Sequence, residues 1–241
     1  MANHLAPTPI ENKFLSLAGV TASCYAIVWL SPLSFFCRFF AVEQYYFFLQ
    51  FERHFWLYTF AFIAIVVLSR GHLWSYGVNS QNLKTSIAWL VWLYGVVMVA
   101  TVTAAAFGAE FLPVEPDNIP GGNGEIIMAS LVYWMSSPVA NQILFFGFGQ
   151  TILMKQWGER PAIAGIPLSV FFSAILFTTG ATTSQFFIGD FSFLPTFLLG
   201  MFCGIVYWKT NSLITPMLGH AFYFGFPLFF HLLRNVNTIH P

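Results

Sequence analysis

Long stretches without a charged residue are the feature that most constrains how this chain can fold. The first of them, Phe14 to Cys37, places 24 uncharged residues between Lys13 and Arg38. About 20 apolar residues in a helix are enough to cross the roughly 30 Å hydrocarbon core of a bilayer. Further stretches of this kind follow along the chain. The sequence therefore predicts an all-α fold, a polytopic integral membrane helical bundle.

The overall composition points to the same class. Of the 241 residues, 57% are hydrophobic and only 7% are charged, whereas a soluble domain is about 25% charged. Because so few charges cannot cover a water-facing surface, a soluble enzyme, a secreted module and a disordered linker are excluded. Nine basic residues balance nine acidic ones, so no nucleic-acid partner is expected.

The uncharged stretches predict about seven transmembrane helices in a single domain, residues 14–234, between a cytoplasmic segment at 1–13 and a tail at 235–241. The predicted spans are 14–37, 55–69, 85–109, 126–154, 162–180, 193–208 and 212–233. The mixed segment from Arg38 to His54 is interpreted as lying in water. Because short cytoplasmic loops collect Lys and Arg, we expect the amino terminus in the cytoplasm. The bilayer would be a prokaryotic-type inner membrane or a thylakoid-like membrane.

Polar side chains inside the predicted spans are the candidates for a functional site. An ionisable residue at a helix centre costs about 2.5 to 3.5 kcal/mol on insertion scales, and His220, in the last span, is the clear example. Uncharged polar groups join it: Asn141 and Gln142 in the fourth span and Thr178 near the end of the fifth. These groups either bond one helix to another or line a polar, ligand-binding pocket formed with His220.

Three segments of the carboxy-terminal half carry a recognisable pattern. They are SSPVANQILFFGFGQTILMKQWG, VFFSAILFTTGA and FLLGMFCGIVYWKTNSLITPMLGHAFYF. Together, over residues 136–224, they resemble the CAAX protease and bacteriocin-processing family of intramembrane enzymes. The family's framework GxxxGxxYxxTxSLxxPxxxH is matched by Gly200, Gly204, Tyr207, Thr210, Ser212, Leu213, Pro216 and His220.

The reactive positions of that family hold other residues in this chain. The family carries E-E-x-x-x-R-G, F-x-x-x-H and H-x-x-x-N motifs, and only His220 is retained. The other positions are occupied by Asn141, Gln142, Phe146, Ala181 and Phe224. The resemblance implies a peptide-bond hydrolase in which a glutamate and a histidine activate water while a histidine and an asparagine stabilise the oxyanion. Since an amide cannot take a proton from water near neutral pH, no catalytic residue set is expected.

We therefore expect a catalytically silent relative that acts as a binding, scaffold or assembly subunit. Its partners would be the lipid bilayer and other membrane protein subunits. The coordinated loss of charge favours this interpretation, because an arginine kept without the glutamates would be costly in lipid.

Two alternatives stay open. One is an active intramembrane peptidase that uses a non-standard set, such as the hydroxyls of Ser137, Thr178 and Thr179 with His220, or groups from a partner chain. The other is a cofactor- or pigment-binding subunit of a larger membrane assembly. No cofactor is predicted, although a pigment or lipid would suit the aromatic content of 20%. One histidine cannot supply the three ligands of a catalytic zinc, so no metal is expected.

Overall fold

The computed structural model describes residues 10–30, 46–80, 82–106, 136–158, 161–181 and 193–222. These residues are predominantly helical, which confirms the all-α prediction. Their helices are α1 (Ile10–Leu30), α2 (Tyr46–Ser69), α3 (Leu83–Ala106), α4 (136–157), α5 (Leu168–Ala181), α6 (Phe193–Thr210) and α7 (214–222). A short 3-10 helix, Leu73–Tyr76, lies between α2 and α3.

Among the described residues, no helix combines the length and the apolar character that a bilayer crossing requires.

Helix α2 begins earlier than the sequence indicated. It starts at Tyr46, and the interpretation of Arg38 to His54 as a segment lying in water is wrong for Glu52 and His54. Glu52 and His54 are buried, and the indole Nε1 of Trp56 donates to Oε1 of Glu52, one turn earlier, at 3.3 Å. A buried polar group is tolerated when it has such partners. Because this turn contains charged residues, the sequence did not indicate a helix here. The helix nevertheless packs against α4.

Helix α4 changes its hydrogen-bonding pattern in the middle. Gln142–Gln150 is a π-helix, followed by an α-helical end, Thr151–Trp157. The backbone N–H of Thr151 reaches the carbonyl of Phe146, five residues earlier, which is the spacing of a π-helix. The sequence predicts a kink at Pro138, and the irregular segment begins one turn after it. Every residue of the π-helix is buried.

A small hairpin separates α4 from α5. Its strands are β1 (Pro161–Ile163) and β2 (Ile166–Pro167), and they pair antiparallel. Ala164 and Gly165 form the turn, and both have positive φ, 48° and 79°, as in the two-residue turns that suit a twisted hairpin. Helix α5 therefore starts at Leu168 rather than at the predicted residue 162.

Helices α5 and α6 pack closely because small residues line their contact. A Cβ atom added at Gly200 would lie 2.9 Å from Cδ1 of Phe177 and 3.2 Å from the Cα of Ala174. At Gly204 an added Cβ would lie 3.0 Å from Oε1 of Gln150. Because they lack a side chain, Gly200 and Gly204 allow α6 to pack closely against both α5 and the π-helix.

The polar loop between α2 and α3 docks on the turn between α6 and α7. The backbone N–H of Leu213 donates to the carbonyl of Gly77 at 3.0 Å. Nδ2 of Asn82 donates to the carbonyl of Thr210 at 3.0 Å. These bonds fasten the amino-terminal helices to the segment that carries the framework pattern.

Candidate functional site

Gln142 and His220 meet in the interior, although they are far apart in sequence. Nε2 of Gln142 lies 3.2 Å from Nδ1 of His220, and both side chains are almost completely buried, at 0% and 1% exposure. Because an amide nitrogen only donates, Nδ1 accepts this bond and the neutral imidazole carries its proton on Nε2. The π-helix and α7 thus meet at one neutral polar centre.

The oxygen of the Gln142 amide differs from its nitrogen in hydrogen bonding. Oε1 of Gln142 is buried and has no hydrogen-bond partner among the described residues. A buried acceptor left unpaired costs about 1 to 3 kcal/mol. The polar centre therefore presents an unused acceptor.

Aromatic rings form the wall beside this centre. Phe146, one turn after Gln142, is fully buried, and its ring centroid lies 5.7 Å from that of Phe177 on α5. Phe177 in turn meets the imidazole of His220 edge to face, with centroids 5.2 Å apart and planes at 87°. Such edge-to-face contacts are favourable for aromatic pairs. The position that the resemblance assigns to an arginine is therefore part of an aromatic cluster.

Of the other residues predicted for the site, Asn141 and Thr178 make hydrogen bonds within their own helices. Asn141 is buried, and its Nδ2 donates to Oγ of Ser137 within α4 at 3.0 Å. The hydroxyl of Thr178, also buried, donates to the carbonyl of Ala174 one turn earlier at 2.7 Å. Ala181 is the last residue of α5. Phe224 lies outside the described residues.

Thr179 and Ser137, considered for a hydroxyl-based site, make local bonds. Oγ1 of Thr179 donates to the carbonyl of Ile175 at 2.9 Å and receives a bond from the hydroxyl of Tyr25 on α1. Ser137 receives the Asn141 bond described above. The bond from Tyr25 joins α1 to α5, whereas the Ser137 bond lies within α4.

Sequence reasoning missed a histidine that belongs to this region. His54 on α2 is buried, its Nδ1 lies 3.1 Å from Oγ of Ser136 on α4, and it interacts electrostatically with His220. The helical spacing of His54 relative to apolar residues of α2 could have identified it. His54 shares a helical periodicity with Leu57, Ala61 and Ile65, which are all buried, and this periodicity identifies the inner face of α2.

The segment that contains Gln142, Phe146 and His220 matches a known family. Residues 123–225 match the family model described as type II CAAX prenyl endopeptidase Rce1-like. The match confirms the resemblance of residues 136–224 to the CAAX protease and bacteriocin-processing family. No curated protein and no solved structure matches the chain. The match begins after α3, so His54 lies on a helix that precedes the matched segment.

Proposed function

We propose that this chain is a catalytically silent, membrane-embedded relative of the CAAX proteases that serves as a binding or assembly subunit. The Gln142–His220 pair carries the proposal. An amide faces the imidazole, at 3.2 Å, in the position where the resemblance expects a general-base glutamate. Without a base, hydrolysis slows by about 10² to 10⁴-fold. The pair is suited to hold a group in place rather than to activate water.

The aromatic wall gives the proposal independent support. Phe146 stands where the resemblance expects an arginine, and it packs against Phe177 with no exposure to solvent. A buried guanidinium needs a carboxylate partner. Replacing the arginine together with the glutamates keeps this interior neutral.

Membrane placement is part of the proposal. Its support is the low charge content of 7%, the family match, and the apolar outer surface of α2 and α3. Large apolar side chains on these helices are strongly exposed, among them Ile63, Val67, Val91, Trp92 and Val99. Exposed apolar surface of this extent is typical of contact with lipid or with other helices. We propose the seven-span topology with a cytoplasmic amino terminus, in an inner or thylakoid-like membrane.

Extraction in a mild detergent tests the assembly role. We expect a particle larger than the monomer, with a second polypeptide in fixed stoichiometry, when mass is measured by native mass spectrometry. A lone monomer, under conditions that keep a reference membrane complex intact, would contradict the assembly role. A bound pigment or lipid in the same spectrum would favour the cofactor-binding alternative.

A second candidate function is hydrolysis through a set unlike that of the family. The observation that favours it is the 3.1 Å contact between Oγ of Ser136 and Nδ1 of His54, which is the distance of a nucleophile from its base. Labelling with a fluorophosphonate probe tests it. Labelling that is lost in Ser136→Ala and kept in Ser137→Ala would favour a hydrolase, and absence of labelling would exclude a serine nucleophile of this kind.

A further inference from the structure

Four positively charged side chains collect at one end of the helical bundle. Arg70 directly follows α2, Lys84 lies in the first turn of α3, and Lys155 and Lys209 lie in the last turns of α4 and α6. All four side chains are exposed. We call these four residues the basic face.

Contacts between the segments that carry these residues make the basic face one surface. Nδ2 of Asn79, in the loop after α2, donates to the carbonyl of Trp74 at 3.1 Å and to that of Asn211, after α6, at 2.9 Å. Nζ of Lys155 lies 4.0 Å from the centroid of the Tyr76 ring, so the end of α4 reaches the same loop. The ends of α2, α4 and α6 and the start of α3 therefore meet here.

The segments that form this surface carry no balancing negative charge. Residues 69–84, 154–158 and 208–213 contain no acidic residue. The pair that follows, Glu159 and Arg160, adds no net charge. Because exposed like charges attract ions of the opposite sign, the basic face is suited to an anionic partner.

Favourable helix ends explain only part of the basic face. A cation near the carboxyl end of a helix is stabilised by the helix dipole, which accounts for Arg70, Lys155 and Lys209. Lys84 lies at the amino end of α3, where the same dipole disfavours a cation. The position of Lys84 therefore indicates a role outside its own helix.

The apolar surface that borders the basic face favours a bilayer as the partner. Val67, just before Arg70, and Ile87, just after Lys84, are strongly exposed, and so is Trp74 in the loop itself. Apolar helix surface that ends in cations and tryptophan is typical of the boundary between acyl chains and headgroups. An acidic protein would match the charges but not the apolar border.

We propose that the basic face binds the anionic headgroups of a phospholipid leaflet. Its four cations contact lipid phosphates, and Trp74 lies at the level of the headgroups. The proposal rests on the membrane placement that is part of the proposed function. One Lys or Arg beside an anionic leaflet changes affinity by about fivefold.

Thermal titration of the full chain in a neutral detergent tests the proposal. The added lipids are dioleoylphosphatidylglycerol, which is anionic, and dioleoylphosphatidylcholine, which has the same acyl chains and no net charge. Because binding to the folded state raises the melting temperature, the half-saturating concentrations give the relative affinity. We expect the anionic lipid to be preferred by at least about fivefold at low salt. The preference should disappear at about 1 M salt, where the Debye length is about 3 Å.

Charge-removing variants locate the surface. Lys84→Gln and Arg70→Gln should each lower the preference by about fivefold, and Lys84→Arg should keep it. Arg53→Gln is the matched control, because it removes a charge from α2 about 25 Å before Arg70, at about 1.5 Å per residue. Since the dipole of α3 disfavours Lys84, its loss should not lower the melting temperature of the lipid-free chain.

Equal affinity for the two lipids at low salt would overturn the proposal, as would equal losses in Lys84→Gln and Arg53→Gln. Displacement of the anionic lipid by inorganic phosphate at matched ionic strength would assign the face to free anions. A decaglutamate peptide that binds more tightly than the anionic lipid would assign it to an acidic protein. Either result would overturn the lipid assignment.

Failure of the proposed function gives a different result. Release of the chain from cell membranes by alkaline carbonate would contradict the membrane placement. A chain that resists carbonate but has no lipid preference would contradict only the role of the basic face.

Discussion

At the scale of single residues, positions 142 and 146 lie about one turn apart in the π-helix, and both hold buried, uncharged side chains. Gln142 turns its amide nitrogen towards His220, and Phe146 closes the adjacent space against Phe177. Neither side chain carries a charge, so neither needs an ionic partner in this interior. The sequence resemblance assigns both positions to one site, whereas the lack of a partner for Oε1 of Gln142 among the described residues depends on three-dimensional packing.

Phe146→Arg tests this neutrality. The buried guanidinium would lack a carboxylate, so we expect about 3 to 5 kcal/mol of destabilisation, against about 1 to 2 kcal/mol for the control Phe146→Leu. Thermal unfolding in one detergent measures both. Adding Gln142→Glu to Phe146→Arg should recover about 0.5 to 3 kcal/mol, the usual range for coupled neighbours. Equal costs for the Arg and Leu variants would contradict a closed, neutral interior.

At the scale of elements, apolar stretches located the helices well where a charged or polar residue follows them directly. The structure has α6 at Phe193–Thr210 and α3 at Leu83–Ala106, close to the predicted 193–208 and 85–109. The prediction failed where local charge or turn chemistry conflicts with burial. Glu52 concealed the start of α2, and the hairpin before Leu168 looked like continuous apolar helix.

The π-helix could not be predicted from the sequence, because residues that are distant in the chain pack against it. An added Cβ at Gly147 would lie 2.9 Å from Cδ1 of Leu213 and 3.2 Å from the carbonyl oxygen of Tyr76. These neighbours come from the loop after α2 and the turn before α7. A local pattern carries no information about such approaches.

Gly200→Ala tests the α5–α6 contact. The new methyl group would collide with Phe177 and with the backbone of Ala174, so we expect about 1 to 3 kcal/mol of destabilisation, as for other overpacked sites. Gly95→Ala is the matched control, because nothing lies within 4 Å of the added Cβ in α3. That substitution should stabilise the helix by about 0.5 to 1 kcal/mol. Similar melting shifts for the two variants would argue against the close contact.

Asn82 tests the docking of the loop on the α6–α7 turn. It has a positive φ of 58°, and its side chain bonds the carbonyl of Thr210. Asn82→Gly removes the bond but keeps the backbone conformation, and Asn82→Ala removes the bond and adds strain of about 1 kcal/mol. Thermal unfolding should rank the wild-type chain above Gly and Gly above Ala. Ala as stable as Gly would mean that the backbone strain is absent.

At the scale of the whole molecule, the site joins two parts of the chain that sequence reasoning treated separately. The resemblance over residues 136–224 predicted that Gln142 and His220 would share a site, and the family model matches residues 123–225. The contribution of α2 was not predicted, because the resemblance covers only the carboxy-terminal segment and His54 falls in a turn that looked hydrophilic. Burial of that turn depends on packing against α4, which the family pattern does not describe.

Peptide cleavage by the purified chain tests the central claim most directly. The substrates are a prenylated CAAX peptide and a double-glycine leader peptide, an active family member is the positive control, and His220→Ala is the matched variant. The absence of a general base at Gln142 predicts that wild-type and variant proteins both yield no product above the protein-free blank. Product formation by the wild-type chain that His220→Ala abolishes would contradict a silent site.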